Sequence, residues 1–231
     1  DKKIAIIGAG NMGGAIITGL LKSGFVEASQ IFASDRREDI LDELKTKGVN
    51  IAENNLDAAK NADVILTAVK PYHVENVLNE MKPELNESKI LISIVAGVGI
   101  EDLAQMAGKN IPIFRCMPNT AISLQESLTC ISSNGNTDSH KKYVLNLFNQ
   151  LGKTVEIPEE LMAAATALSA CGIAYALRYI RAAMQGGIEI GFSAELAQFI
   201  TAQTVKGATE LVLQTGHHPE RFPGVKGVGP S

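Results

Sequence analysis

Over the first two-thirds of the chain, short apolar runs rich in β-branched residues alternate with segments of helical spacing. Residues 3–7 form a run that ends on Gly8, and apolar positions recur with the period of a helix over 12–23. The pattern predicts strands at 31–34, 49–51, 62–69 and 89–94 and helices at 39–47 and 74–81. The alternation continues through 100–107, 111–114, 128–131, 140–151 and 154–157. Strand–helix repetition of this kind implies an α/β fold, a doubly wound and mostly parallel sheet covered by helices on both faces. At Pro158 the pattern changes. Residues 159–190 and 194–215 lack strand-like alternation and read as helices, with Pro158 opening the first and Ser193 capping the second. The expected domains are therefore 1–157, holding the sheet, and 158–231, all-α. Residues 216–231, rich in Gly and Pro, read as a loop or terminal arm.

The chain has 231 residues, 45% hydrophobic and 20% charged, enough for a packed core. Its formal net charge is −4, with acidic and basic residues interleaved and no basic stripe, so no nucleic-acid partner is expected. Cys116, Cys130 and Cys171 have neither CxxC spacing nor a histidine-rich neighbourhood. Such a sparse, odd set points to free thiols in a reducing compartment rather than to disulfides. His73, His140, His217 and His218 lack the carboxylate or cysteine spacing of a metal site, and no metal is expected. The first apolar run is too short for a signal peptide. Residues 161–177 are uncharged and approach the length of a membrane span. They are rich in Ala, Ser and Gly and are soon followed by Arg178 and Arg181, so a buried helix is the favoured reading and no membrane partner is expected.

Gly8-Ala9-Gly10-Asn11-Met12-Gly13 matches GxGxxG between the first strand and the first helix, the context a dinucleotide-binding fingerprint requires. Gly8 would permit the tight turn, Gly10 the approach of a pyrophosphate, and Gly13 the close packing of helix on strand. Free N–H groups and the dipole at the helix start favour phosphates. This makes 1–157 a Rossmann-type dinucleotide-binding domain. About twenty residues past the glycines, where an adenosine ribose is read, stand Asp35, Arg36 and Arg37. Asp35 suits a ribose 2′-hydroxyl and repels a 2′-phosphate, whereas Arg36 and Arg37 suit that phosphate. The signals conflict; the balance leans to NADP(H), with NAD(H) open.

Ala68-Val69-Lys70-Pro71 closes the fourth strand. Then follow Ser93-Ile94-Val95-Ala96-Gly97, Arg115-Cys116-Met117-Pro118-Asn119-Thr120, and Thr166-Ala167-Leu168-Ser169 with Ala174-Tyr175. Gln203-Thr204 with Gly207-Ala208, and His218-Pro219, complete the series. In these motifs and their order, across nearly the whole chain, the sequence resembles the pyrroline-5-carboxylate reductase family. The resemblance implies a cytoplasmic enzyme that reduces the cyclic imine 1-pyrroline-5-carboxylate to L-proline, the last step of proline biosynthesis. It also implies a helical domain that pairs with its copy in another subunit. Ile7, Gly8, Ala9, Gly10, Asn11 and Met12 would line the pyrophosphate. Asp35, Arg36, Arg37 and Asn55 would sit near the adenosine, and Ala68, Val69, Lys70, Pro71, Val95 and Ala96 beside the ribose and nicotinamide.

An iminium carbon accepts hydride readily, so orientation matters more than a strong general acid. No catalytic residue is singled out. Candidate substrate contacts are Asn119, which is also ordinary turn chemistry, and Ser169, a hydroxyl donor for the carboxylate expected near a helix start or else a small packing residue. A third is Cys171, standing where the family usually has serine and expected to be an inert buried thiol. Ala170 and Ile173 replace the family's usual Gly and Pro. After His218-Pro219 the family continues with a glycine-rich, threonine-bearing loop that contributes to the substrate site; the residues here run to Ser231 without it, so the chain is expected to carry that site incompletely. Ala163, Ala164, Ala165, Ala167, Ala170 and Gly172 form a small-residue surface for another helix, and a homodimer at least is expected. Two alternatives remain: a related hydroxyacid dehydrogenase, for which Lys206 is poorly placed, and a nucleotide-binding sensor or structural dimer without turnover.

Overall fold

The computed structural model describes residues 2–108, 110–135 and 137–222. The chain divides into two compact units, Asp1–Ile173 and Ala174–Ser231.

The first unit is built on an eight-stranded sheet in the order β3-β2-β1-β4-β5-β6-β7-β8. The strands are β1 (Ile4–Ile7), β2 (Ile31–Ser34), β3 (Asn50–Ile51), β4 (Val64–Thr67), β5 (Ile90–Ser93), β6 (Ile113–Met117), β7 (Ser127–Ser133) and β8 (Gly152–Glu156). The pairings from β3 to β6 are parallel. β7 runs antiparallel to β6, with Phe114 opposite Ser133 and Met117 opposite Cys130, and β8 follows β7 in parallel. Helices α1 (Asn11–Ser23), α2 (Glu38–Thr46), α3 (Asn55–Lys60), α4 (Val74–Met81), α5 (Ile100–Ala107) and α6 (Asp138–Asn149) cover it.

Side chains alternate across the central strands, which is why the sheet is covered on both faces. Ile4 and Ile6 of β1 join Ile16, Ile17 and Leu20 of α1 in one apolar layer. Ala5 and Ile7 face the other way, into a layer with Ala58 and Ala59 of α3 and Leu78 of α4. The doubly wound fold expected from the pattern is the fold observed. Helix α3 is an addition to the expected elements. Asn54 caps it by accepting from the Asp57 N–H at 2.8 Å, but six residues are too few to establish a helical period.

Strand pairing ends at Glu156, yet the residues after Pro158 still belong to the first unit. Met162 is fully buried against Met117 and Cys130, with Ile157, Ala165 and Ala170 packed around them. The boundary expected after residue 157 therefore marks the end of the sheet, and the compact units part after Ile173. Between α7 (Met162–Ala165) and α8 (Gly172–Glu189) lies a π-type turn over Thr166–Ala170. The Cys171 N–H reaches back five residues to the Thr166 carbonyl at 2.9 Å.

The second unit consists mainly of α8 and α9 (Ala194–Thr215), followed by a short 3₁₀ turn at Pro219–Arg221. The Ser193 hydroxyl caps α9 by accepting from the Leu196 N–H at 3.3 Å, as expected, and Gly216 ends it in the left-handed region. A Cβ on Gly187 would come 3.2 Å from the Ala197 Cβ, so the two helices approach closely there. The part of the expected arm at 223–231 lies outside the described residues.

The run 161–177 is not the buried helix expected. It lies in a helical stretch, Glu159–Glu189, that is long and apolar enough to cross a membrane by length and composition, and only 6% of its most apolar window is buried. Cys171 is likewise exposed rather than buried. Both expectations assumed cover that the described residues of this single chain do not supply.

Candidate active site

A cleft of about 1050 Å³ opens at the carboxyl ends of β1, β2, β4 and β5. The chain order reverses between β1 and β4, and such a switch point is where open parallel sheets bind ligands.

The floor is the junction of β1 and α1. Gly8 has φ of +91°, and its N–H donates to the Ser34 carbonyl at 2.8 Å. A Cβ there would lie 2.8 Å from the Ala68 carbonyl oxygen, and one on Gly13 only 2.0 Å from the Gly8 carbonyl oxygen. Side chains are excluded at both positions, so Gly8 makes the turn and Gly13 lets α1 lie on β1. No side chain caps the start of α1, which leaves its first-turn N–H groups and its dipole for an anion. The space beside Gly10 is bordered by Arg37, whose Nη2 would be 2.6 Å from a Cβ on that residue.

The wall at the end of β2 is charged. Asp35 accepts from the Arg37 backbone N–H and from its Nε, both at 3.1 Å, and from Nη2 at 3.3 Å. Partial burial raises the Asp35 carboxyl, but these bonds and the adjacent charge outweigh it and hold the group below the usual aspartate value. Arg36 turns elsewhere, its Nη2 lying 3.0 Å from His73 Nε2. Behind this wall the Ser34 hydroxyl donates to Asn55 Oδ1 at 2.8 Å. Asn55 in turn donates to Glu80 from its backbone N–H at 3.1 Å and from Nδ2 at 2.7 Å. Opposite, Ala68, Val69, Lys70 and Pro71 follow β4, and Val95 and Ala96 follow β5.

The cleft thus gathers Ile7, Gly8, Gly10, Asn11, Met12, Asp35, Arg36, Arg37 and Asn55 with the β4 and β5 residues just named. Ala9 and Gly13 are buried beneath it and shape the loop without lining it.

Two family models match the chain. One, described as "NADP oxidoreductase coenzyme F420-dependent", covers residues 3–97. The other, described as "Pyrroline-5-carboxylate reductase dimerisation", covers residues 159–223. Pyrroline-5-carboxylate reductase 1 of Dictyostelium discoideum is 40% identical over 95% of this chain, which spans 42% of that relative. The pyrroline-5-carboxylate reductase of Methanosarcina acetivorans is 36% identical over 95% of this chain and 82% of its own length. The chain belongs to the pyrroline-5-carboxylate reductase family. Among solved structures of the family, that of Plasmodium falciparum with NADP bound superposes with a TM-score of 0.86 at 33% identity, over 95% of this chain and 82% of its own.

The family's substrate candidates lie apart from this lining. Asn119 is buried, and its side-chain oxygen accepts from the Ala121 N–H at 3.1 Å, capping the 3₁₀ turn Thr120–Leu124. Ser169 sits within the π-type turn rather than at a helix start, and its hydroxyl donates to the Leu128 carbonyl at 3.3 Å. Cys171 follows on the exposed side. The sequence reading missed Ser34, Tyr72, His73 and Glu80, all of which line the cleft. Ser34 ends a strand beside the glycine loop and was within reach of a positional argument; His73 and Glu80 were not, because a turn and a helix carry them in.

Proposed function

We propose that the cleft binds a nicotinamide dinucleotide, NADP(H) in preference to NAD(H), and that the protein reduces 1-pyrroline-5-carboxylate to L-proline in the cytoplasm. The observation that carries this reading is the glycine-built, uncapped β1–α1 junction on a switch-point cleft, in a chain of this family. The residues present fit the cofactor: Gly8 and Gly13 exclude side chains, the first turn of α1 is uncapped, and Arg36 is not tied to Asp35. The free thiols and interleaved charges support the cytoplasmic assignment.

The bound cofactor supplies the hydride. Residues 7–12, resting on Gly13, hold the pyrophosphate at the amides of α1. Asp35, Arg36, Arg37 and Asn55 take the adenosine end, and Ala68 to Pro71 with Val95 and Ala96 orient the ribose and nicotinamide. The imine enters already protonated at nitrogen, so these groups position and shield it, and no strong side-chain acid is required. Ser169 is assigned to the substrate carboxylate. Its 3.3 Å bond to a neutral carbonyl is readily exchanged for a shorter charge-assisted one. Cys171, two residues on, is assigned to the same region, as is Asn119.

The second unit pairs with a second copy of the chain. Large apolar side chains such as Tyr175, Tyr179, Ile190, Phe199 and Leu213 are exposed, and Ala197 is the buried hydrophobic residue of α8 and α9 among those described. The family model matched over 159–223 is one for dimerisation.

The test is oxidation of NADPH and of NADH by the full-length protein with 1-pyrroline-5-carboxylate. Turnover with NADPH exceeding that with NADH is expected. No turnover with either would leave the sensor reading in its place.

A further inference from the structure

Arg37 and Arg36 adjoin in sequence but meet different partners. Arg37 is occupied by Asp35 through three hydrogen bonds. Arg36 instead points across the cleft to His73, which ends the 3₁₀ turn Pro71–His73 after β4. A guanidinium can only donate, so His73 Nε2 is the accepting atom in this contact. Two groups from two different strand ends thus face one another at 3.0 Å on the wall where an adenosine ribose is read.

A phosphate entering between them changes this balance. Phosphate accepts from both sides, so His73 must turn from acceptor to donor at Nε2, and a protonated imidazole does so with charge. A ribose that bears only hydroxyls brings no anion to favour that proton. We infer that Arg36 and His73 together form the subsite for a ribose phosphate, and that proton uptake by His73 makes the choice of NADP(H) over NAD(H) depend on pH. This rests on the reading that the cleft binds a nicotinamide dinucleotide.

The other charged or titratable groups of that part of the cleft leave His73 this role. Asp35 is held by Arg37, and Glu80 of α4 is held by Asn55. Tyr72 packs its ring beside the imidazole at 4.4 Å between centroids. Lys70 on the same loop, Arg37, and Glu53 ahead of α3 complete the lining; the Lys70 carbonyl accepts from the His73 backbone N–H at 2.9 Å, and among the described residues no side chain of these three hydrogen-bonds to the His73 imidazole.

The experiment is calorimetric titration of the full-length protein with NADP⁺ and with NAD⁺, at about pH 6 and about pH 8, on either side of the ordinary histidine value. Wild type is compared with His73→Gln and His73→Asn, each first checked for an unchanged thermal midpoint. The 2′-phosphate itself titrates near pH 6, identically for every variant in the free nucleotide, so the difference between variants reports what His73 and its coupling to the phosphate add in the complex. Loss of a charge-assisted bond should weaken NADP⁺ binding about tenfold at the lower pH and about threefold or less at the higher, with NAD⁺ unchanged within about twofold. Parallel pH curves for wild type and variants would overturn the inference, as would equal losses for both nucleotides. If wild type binds neither nucleotide, the dinucleotide reading itself fails, a result distinct from the other two.

Discussion

Gly13 shows how narrow the tolerance of the β1–α1 junction is. A methyl group there would overlap the Gly8 carbonyl oxygen at 2.0 Å, and that contact is backbone, which cannot swing away. Gly13→Ala should therefore destabilise the protein by about 3 kcal/mol, the upper end of overpacking costs, as read by chemical denaturation. A loss under about 0.5 kcal/mol, the range of ordinary surface changes, would show that α1 can shift freely on the sheet. These glycines were legible in the sequence because their need is steric and local. The partnering of Asp35 was not. Whether Asp35 meets Arg36 or Arg37 depends on how the chain turns after β2, and adjacent arginines look alike until that turn is known. The same turn sends Arg36 to His73, a residue 37 positions away.

At the scale of elements, Glu159 fastens the segment after the last strand to the sheet. Its carboxylate accepts from the Ile100 N–H at the start of α5, from Arg115 on β6 and from the Ser132 hydroxyl on β7. Partial burial raises this carboxyl, but the bonds from Ser132, Arg115 and Ile100 prevail and set it below the usual 4.5. A lowered folded-state value means that the stabilisation is fully present above the unfolded value. It is lost as pH falls through the folded one. Glu159→Gln should cost about 1 kcal/mol near neutrality, less than the roughly 3–5 kcal/mol of breaking a fully buried pair, because solvent still screens the carboxylate. The gap in thermal midpoint between wild type and variant should close on acidification below 4.5; a gap that persists there would show that the clamp does not depend on charge. Periodicity located most of the elements, but it did not reveal the reversal of β7. Alternating apolar residues look the same in either strand direction, and the gap between the strands predicted at 111–114 and 128–131 is long enough for either, whereas the observed strands β6 and β7 lie too close in sequence for a parallel crossover. The π-type turn was hidden for a similar reason, since one extra residue in an Ala-rich helix barely disturbs its pattern.

At the scale of the whole molecule, the second unit carries its large apolar residues outward. Two helices by themselves have no third layer to bury such residues, and that follows from length and composition alone. Phe199→Glu places a charge on this surface and should weaken self-association at least tenfold, about 1.4 kcal/mol, in sedimentation equilibrium, with the far-ultraviolet circular dichroism unchanged. Association equal to that of wild type would mean that the second copy docks elsewhere. What composition did not supply was the exposure of 161–177. An uncharged helix reads as interior, and sequence cannot say whether the interior belongs to one chain or to two.

The reversed direction of β7 separates two kinds of loop. Strands β1, β2, β4 and β5 deliver their carboxyl ends to the cleft, whereas β7 delivers its own, at Ser133, to the opposite rim, beside the beginning of β6. The loop just beyond opens at Gly135, whose φ of +81° is kept for glycine and which has nothing within 4 Å of where a side chain would start. A fluorophore or affinity handle grafted there would report on the protein from the far side of the sheet, leaving the nucleotide's entrance untouched.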